Sequence, residues 1–290
     1  MLIRPPSAAQ CPETISTMAL KNKKYYQIRK NTGGPALLPG PLVGALVLLF
    51  WLLVWLSAAL LMDQELLIPS PFTVVQHLFR IVKDPGFFGI LGKSLLRVLG
   101  GYICGCLAGV ILAVLCGFSR ILDSLLQPLV RIISSVPVTS FIILVMLWIP
   151  YDYVPVFISA LLVTPIVFGN VRTGIRETDP QLLEVAQMYR FTRWKAVRYV
   201  FIPSVLPYFF SGALTALGLS WKAGIAAETL SLPKFAIGAQ MYYSRQYLET
   251  ADLFAWTVIV VLFSFCLEKL IQLILKKRKK NTQEVQDEDQ

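Results

Sequence analysis

The sequence is poor in the residues that build most catalytic and metal sites. His77 is the only histidine among 290 residues. The cysteines show no metal-ligand spacing, and no Ser/His/Asp set or pair of carboxylates stands out. We therefore predict no metal site and no catalytic site. Outside the N-terminal tail, the cysteines are interpreted as small apolar packing residues; the five are Cys11, Cys104, Cys106, Cys116 and Cys266.

Charge is also scarce, because only 15% of the residues are charged whereas 56% are hydrophobic. This balance excludes an ordinary soluble domain and predicts an all-α, polytopic integral membrane protein with about six transmembrane helices. The first apolar run is longer than that of a cleavable signal peptide, so we expect it to remain as an anchor. The predicted spans are Pro41–Met62, Ser94–Cys116, Ile132–Ile149, Val154–Val171, Val205–Ile225 and Leu253–Ile274.

The net charge of +10 follows a topological pattern. Basic residues concentrate in the N-terminal tail, between Arg172 and Arg198, and at Lys276 to Lys280, which alternate with segments poor in lysine and arginine. The positive-inside rule then places both termini in the cytosol of a multi-pass protein of the cell membrane, and a nucleic-acid partner is not expected. We divide the chain into a cytosolic tail (1–40), a transmembrane domain (41–276) and a charged cytosolic tail (277–290).

The sequence lacks a phosphate-binding loop as well. The stretch "GILGKSLL", Gly89 to Leu96, ends like such a loop, but the required first glycine is replaced by Phe87. Nucleotide binding is therefore not expected in this chain.

Two further patterns predict structure: one is a short helix outside the membrane core, and the other is a row of glycines along the second span. Ser70 and Pro71 predict the start of an interfacial helix, on whose polar side His77 is expected to be solvated. Gly101, Gly105 and Gly109 recur every fourth residue and predict a face for close helix packing, either within one subunit or between two copies.

Polar residues inside two spans, and one just after the second of them, are candidates for lining a translocation pathway: Ser134, Ser135, Pro137, Thr139, Lys222 and Glu228. Pro137 would bend the third span beside its hydroxyls, and the alternative is a sealed helix whose hydroxyls bond to its own carbonyls. Lys222 would attract an anionic solute, or it would reach the outer surface or pair with Glu228.

The segment at about 176–205 predicts two short amphipathic helices joined by a turn. Asp179 precedes Pro180 as a candidate N-cap of the first helix, and Thr192 is a candidate N-cap of the second. Pro203 should end or kink the second helix. Such helices would bind either a protein partner or the anionic headgroups of membrane lipid.

This segment resembles the EAA loop of ATP-binding-cassette (ABC) importer permeases. The family consensus reads Glu-Ala-Ala, three residues, Gly, nine residues, Ile, any residue, Leu-Pro. This chain has Glu184, Val185 and Ala186, then Arg190 in place of the glycine, and "VFIP" up to Pro203. The resemblance extends from about Leu66 to Lys277. Within the family, the chain looks like the nitrate, sulfonate and taurine branch. One departure is "LWIP" at Leu147 to Pro150, where that branch usually has Leu-Trp-Phe-Gly.

The resemblance implies a type I ABC importer permease fold. It also implies a second permease copy, an extracytoplasmic solute-binding protein and two cytosolic ATPase subunits that bind ATP and Mg, with no cofactor in this chain. The implied solute is a small anion such as a sulfonate, nitrate or bicarbonate, or a thiamine-precursor-like molecule. The implied ATPase-coupling residues are Glu184, Ala186, Arg190, Thr192 and Pro203.

Two other classes of function are weighed against this one. An autonomous secondary transporter or channel would need ion-coupling carboxylates or broken helices in both halves, and only Pro137 suggests such a break. A membrane enzyme or scaffold would need convergent His, Asp or Ser groups, which the sequence does not show.

Overall fold

The structure is a computed structural model that describes residues 40–62 and 64–288, with side chains for residues 43–62 and 64–273. The N-terminal tail with Cys11 and the side chains of the basic run after Leu275 lie outside this description. The chain divides into two compact units, Met1–Ser57 and Ala58–Gln290. The first contains most of α1 (Gly40–Met62), an apolar helix long enough to cross a membrane.

In the described part of the second unit, all regular secondary structure is helical. After the end of α1 it contains the short helix α2 (Pro71–Lys83), four long apolar helices, one broken pair and three further short helices. In chain order its remaining helices are α3 (Phe87–Phe118), α4 (Arg120–Ser135), α5 (Val138–Val145), α6 (Val154–Arg176), α7 (Pro180–Met188), α8 (Arg193–Ala196), α9 (Ile202–Ser231), α10 (Ile237–Gln246) and α11 (Thr250–Glu288). The prediction of an all-α membrane protein is confirmed.

The helix α6 lies at the centre of this unit, between α3 and α9. A Cβ atom on Gly105 would stand 2.7 Å from both the Ala160 oxygen and the Val163 Cβ, and Gly101 and Gly109 face α6 in the same way. The α3 backbone can therefore approach α6 only because these three side chains are absent. The glycine stripe packs within one subunit, and Val163, Val167 and Phe168 form the buried core beside it.

The third predicted span is not a single kinked helix. The helix α4 begins at Arg120, much earlier than predicted, and α5 contains only eight residues. The two helices meet at 98°. Pro137 lacks an N–H and disfavours the α conformation of Val136, which is extended at φ −79° and ψ 135°. The proline thus separates two helices.

The sequence predicts that Pro203 ends or kinks the second amphipathic helix, and the structure excludes the first of these outcomes. Helical structure continues from Arg193 to Ser231, and a π-helical turn at Val197–Phe201 immediately precedes α9. Pro203 cannot donate to the carbonyl four residues earlier, and its ring would crowd that carbonyl in a regular α-helix. The wider π turn relieves this conflict and allows the helix to continue.

His77 is not a solvated surface residue. Its Nδ1 atom lies 2.6 Å from Oδ1 of Asp252, and Arg80 donates to the other oxygen of the same carboxylate at 2.7 Å. The helix α2 packs against the start of α11, so its polar side faces a carboxylate 175 residues away in sequence. Its apolar side, which includes Phe72 and Phe79, is exposed.

Candidate functional site

The segment 176–205 forms the predicted helical hairpin, and both helix starts are capped as expected. The Asp179 carboxylate accepts a hydrogen bond from the Gln181 N–H at 2.8 Å, and Pro180 occupies the first turn of α7. The Thr192 hydroxyl accepts from the Lys195 N–H at 3.4 Å at the start of α8. Each cap satisfies an N–H that the helix leaves without an internal partner. The hairpin is thus defined by local interactions.

Arg190 adopts a left-handed backbone conformation, with φ +51°, at the turn of the hairpin. The Phe191 N–H donates to the Ala186 oxygen and the Arg190 N–H donates to the Gln187 oxygen, both at 2.9 Å. This pair of hydrogen bonds is a Schellman motif, in which the residue after the C-cap is usually glycine. Arg190 therefore accepts the conformation that the family glycine would adopt, at a cost of about 1 kcal/mol or more.

The other residues of the hairpin separate into a buried and an exposed set. Ala186 and Val200 are buried, whereas Glu184 is exposed and has no ion-pair partner among the described residues. Large apolar side chains on α7 are exposed beside Glu184: Leu182, Val185 and Met188, with Tyr189 at the C-cap. The outer face of α7 therefore combines an unpaired carboxylate with uncovered apolar surface, which is characteristic of a protein-docking surface.

A cluster of charges joins α4 to the end of α6, the helix that leads into the hairpin. Asp123, in the first turn of α4, accepts hydrogen bonds from Arg172 and Arg176, in the last two turns of α6, and the Arg176 bond measures 2.8 Å. Sequence reasoning treated these arginines only as markers of topology. The signal that could have found the cluster is the lone carboxylate of "SRILDSLL" among basic residues at the same end of the spans.

The polar residues around Pro137 do not converge on one another. The Ser134 hydroxyl donates to the Val130 oxygen and the Ser135 hydroxyl donates to the Ile132 oxygen, each at 2.9 Å. These bonds follow the expectation that the hydroxyls bond to carbonyls of their own helix. Thr139 is exposed in the first turn of α5, just after the break.

Lys222 and Glu228 lie in different environments and do not form the pair considered above. Lys222 is exposed and has no ion-pair partner in the described part of the chain. Glu228 is fully buried, and its carboxylate accepts a hydrogen bond from Ser94 at 2.8 Å. Six residues on a helix correspond to about 600°, so the two side chains point in different directions.

The partner charge of Glu228 is Arg97, which the sequence interpretation left without a role. Arg97 Nη1 lies 3.6 Å from Glu228 Oε1, and Arg97 Nη2 donates to Asp152 at 2.9 Å and to the Lys234 oxygen at 2.8 Å. Ser94 also accepts from the Ile237 N–H, and Glu228 accepts from the Gly238 N–H. This network, termed the Arg97–Glu228 network, joins α3, α9, the start of α10 and the segment before α6. The available signal was one charged residue inside the second predicted span, Arg97, and another just after the fifth, Glu228.

Comparison with known proteins gives matches over most of the chain. A sequence profile of the family described as "binding-protein-dependent transport system inner membrane component" matches residues 105–280. The "Putative aliphatic sulfonates transport permease protein SsuC" of Bacillus subtilis is 26% identical over 239 residues, which cover 82% of this chain and 85% of that protein.

Two further relatives and one solved structure are informative. The taurine transport system permease protein TauC of Escherichia coli is 23% identical over 77% of this chain and 82% of its own length. The nitrate import permease protein NrtB of Leptolyngbya laminosa is 29% identical over 56% of this chain and 61% of its own length. The crystal structure of an amino acid ABC transporter matches 70% of this chain and 97% of its own, with a TM-score of 0.57 at 19% identity, which supports the fold alone.

Proposed function

The chain belongs to the family of inner-membrane components of binding-protein-dependent transport systems, and on this premise we propose that it is the permease subunit of an ABC importer for a small anion. In this proposal it forms the translocation pathway with a second copy of itself. Two cytosolic ATPase subunits supply the energy, and an extracytoplasmic binding protein delivers the solute. Both termini and the hairpin at 176–205 face the cytosol.

The observation that carries the proposal is the outer face of α7. The hairpin is capped at both helix starts and closed by the Schellman motif at Arg190, and it presents Glu184 beside uncovered apolar side chains. An element of this kind can occupy a groove of another protein and move with it as a rigid body. Movement of the ATPase subunits would then reach the membrane helices through the hairpin, with Glu184, Ala186, Arg190, Thr192 and Pro203 as the coupling residues.

The proposal of an anionic solute is supported by the relatives and by one position in the chain. The names of three matching proteins specify aliphatic sulfonates, nitrate and bicarbonate. Lys222 is an exposed, unpaired cation in α9 among the residues that the structure describes. A cation at a wet position in a span would raise the local concentration of an anion.

The test is reconstitution of this chain with its cognate ATPase and binding protein, for which the neighbouring coding sequences are the first place to search. We expect the ATPase to co-purify with the chain, and we expect uptake of a sulfonate, nitrate or bicarbonate to require ATP and the binding protein. Heating the binding protein with each candidate anion identifies the solute, because a bound ligand stabilises the folded state. Uptake by the chain alone, without ATPase, would instead identify an autonomous transporter.

A further inference from the structure

An apolar groove of about 380 Å³ runs along the second unit, at the end of the spans nearest the hairpin. Its walls come from α3, α6, the π-helical turn and the first part of α9. The described side chains that line it are all apolar, and several, including Val114, Phe118 and Leu206, are exposed in the subunit. The groove is therefore open at the protein surface, where the neighbouring medium is the membrane.

A second, polar cavity of about 210 Å³ adjoins one end of this groove. Gly117 and Ile175 line both cavities, so the two meet at these residues. The polar cavity also contains the Asp123 cluster together with Arg120. Three guanidinium groups thus face one carboxylate, which leaves an excess of two positive charges.

The two cationic groups best placed to accept a ligand are Arg120 and Arg176. Arg120 is exposed and has no ion-pair partner among the described residues, and Arg176 remains 59% exposed although it donates to Asp123. Gly117 leaves the junction open, since a Cβ there would meet only Ile175, at 3.5 Å. An apolar slot thus continues without obstruction into a cationic mouth.

We propose that the groove and its cationic mouth form a binding site for an anionic phospholipid. One acyl chain lies in the groove against Val114 and the π-helical turn, and the phosphate is bound by Arg120 and Arg176. A guanidinium binds phosphate oxygens through charge-assisted hydrogen bonds. A phospholipid matches both parts of the site, because its acyl chain is apolar like the groove and its phosphate is opposite in charge to the arginines.

The position of the site gives the lipid a structural role. The π-helical turn forms one wall of the groove through Val197 and Phe201, and it directly follows the hairpin. A bound acyl chain would fill the space beside this widened turn and so hold the hairpin relative to α3 and α6. This inference depends on membrane embedding alone and is independent of the ATPase and of the solute.

The direct test is photolabelling of the purified full-length chain in phosphatidylcholine nanodiscs. The probe is a phosphatidylglycerol that carries a diazirine in the middle of one acyl chain. We expect label on peptides that contain residues 110–118 and 197–209. A phosphatidylcholine probe with the same diazirine chain should give much weaker labelling there, and inorganic phosphate at matched ionic strength should not displace the label.

Variants separate the two parts of the site. Arg120→Gln and Arg176→Gln should each lower labelling by about fivefold, the factor expected for one basic residue at an anionic lipid surface. Arg120→Lys should retain most of it, and Arg131→Gln, an exposed arginine on the same helix, should not change it. Gly117→Leu should block the junction, whereas Gly100→Ala, whose added Cβ has nothing within 4 Å, should label normally.

Two results would overturn the site. Equal labelling by both probes, unaffected by Arg120→Gln and Arg176→Gln, would show that the groove does not select an anionic headgroup. Efficient disulfide formation between two copies that carry Leu206→Cys would show that a second subunit covers the groove instead.

Discussion

Arg97 of α3 and Glu228 of α9 form a charge pair in which Arg97 Nη1 lies 3.6 Å from Oε1 of a carboxylate that has no solvent exposure. The other oxygen of Glu228 is hydrogen-bonded to Ser94 and Gly238. Because Oε1 has no hydrogen bond of its own, Arg97 is the group that compensates its charge. The first part of α3 and the end of α9 are therefore joined by an interaction whose loss costs much stability.

We predict that Arg97→Met strongly destabilises the protein. Removal of one partner from a buried ion pair leaves an uncompensated charge and typically costs about 3–5 kcal/mol. The double change Arg97→Met with Glu228→Gln should restore part of the loss, because the amide carries no charge. Thermal unfolding of the detergent-purified chain measures both. Equal melting temperatures for wild type and Arg97→Met would show that the pair contributes nothing.

Arg190→Gly should stabilise the hairpin, in contrast to most substitutions by glycine. Glycine adopts a φ of +51° without the steric cost that arginine bears, which we estimate at about 1 kcal/mol. The matched control is Arg193→Gly in the first turn of α8, where glycine should be unfavourable by about 1 kcal/mol. Hydrogen exchange of the Phe191 and Arg190 amides reports the local effect. Faster exchange in Arg190→Gly would contradict the assigned strain.

Glu184→Lys should abolish solute-stimulated ATP hydrolysis in the reconstituted complex while membrane insertion and folding stay normal. The side chain is exposed and unpaired within the described chain, so its reversal disturbs no internal contact. Glu184→Gln, which removes the charge without reversing it, should give an intermediate loss. Normal coupled turnover in Glu184→Lys would remove the proposed role of this residue.

Gly105→Ala should weaken the contact between α3 and α6. The added Cβ would stand 2.7 Å from the Ala160 oxygen, so the helices must separate, and overpacking of this kind costs about 1–3 kcal/mol. The same change at Gly100, where nothing lies within 4 Å, should be neutral or stabilising, since alanine is the better helix former. The difference in melting temperature between the two variants is the measurement. Indistinguishable values would contradict the packing role of the stripe.

Lys222→Met should raise the KM for uptake of the anion by roughly fivefold, the factor that corresponds to about 1 kcal/mol. Lys222→Arg should retain the wild-type value because it keeps the charge. Neither change should alter stability, since the side chain is exposed. The KM values are measured from uptake kinetics in proteoliposomes. An unchanged KM in Lys222→Met would leave Lys222 without a role in solute entry.

The features that could be predicted from the sequence are those that depend on near neighbours along the chain. The caps at Ser70, Asp179 and Thr192 each involve a residue and an N–H two or three positions later. The glycine stripe follows from a four-residue period, although only the structure shows that its partner is α6. Composition likewise predicts the spans, because length and hydropathy are local properties.

The features that could not be predicted join distant parts of the chain or depend on geometry. Arg97 and Glu228 are far apart in sequence, and His77 meets Asp252 from 175 residues away. No local pattern specifies such pairs. A proline at position 137 indicates a bend, but it does not specify 98°. Pro203 has the same chemistry and is accommodated by a π turn, so the surrounding packing decides between a break and a continuous helix.

The continuous helix from Arg193 to Ser231 has a mechanical consequence. Its 39 residues correspond to about 58 Å, nearly twice the thickness of the hydrocarbon core. The hairpin at Thr192 and the buried carboxylate of Glu228 are thus attached near opposite ends of one continuous helical segment. Tilting or rotation imposed at one end reaches the other without passing through a loop, so strain at the Arg97–Glu228 network and the position of the hairpin should vary together.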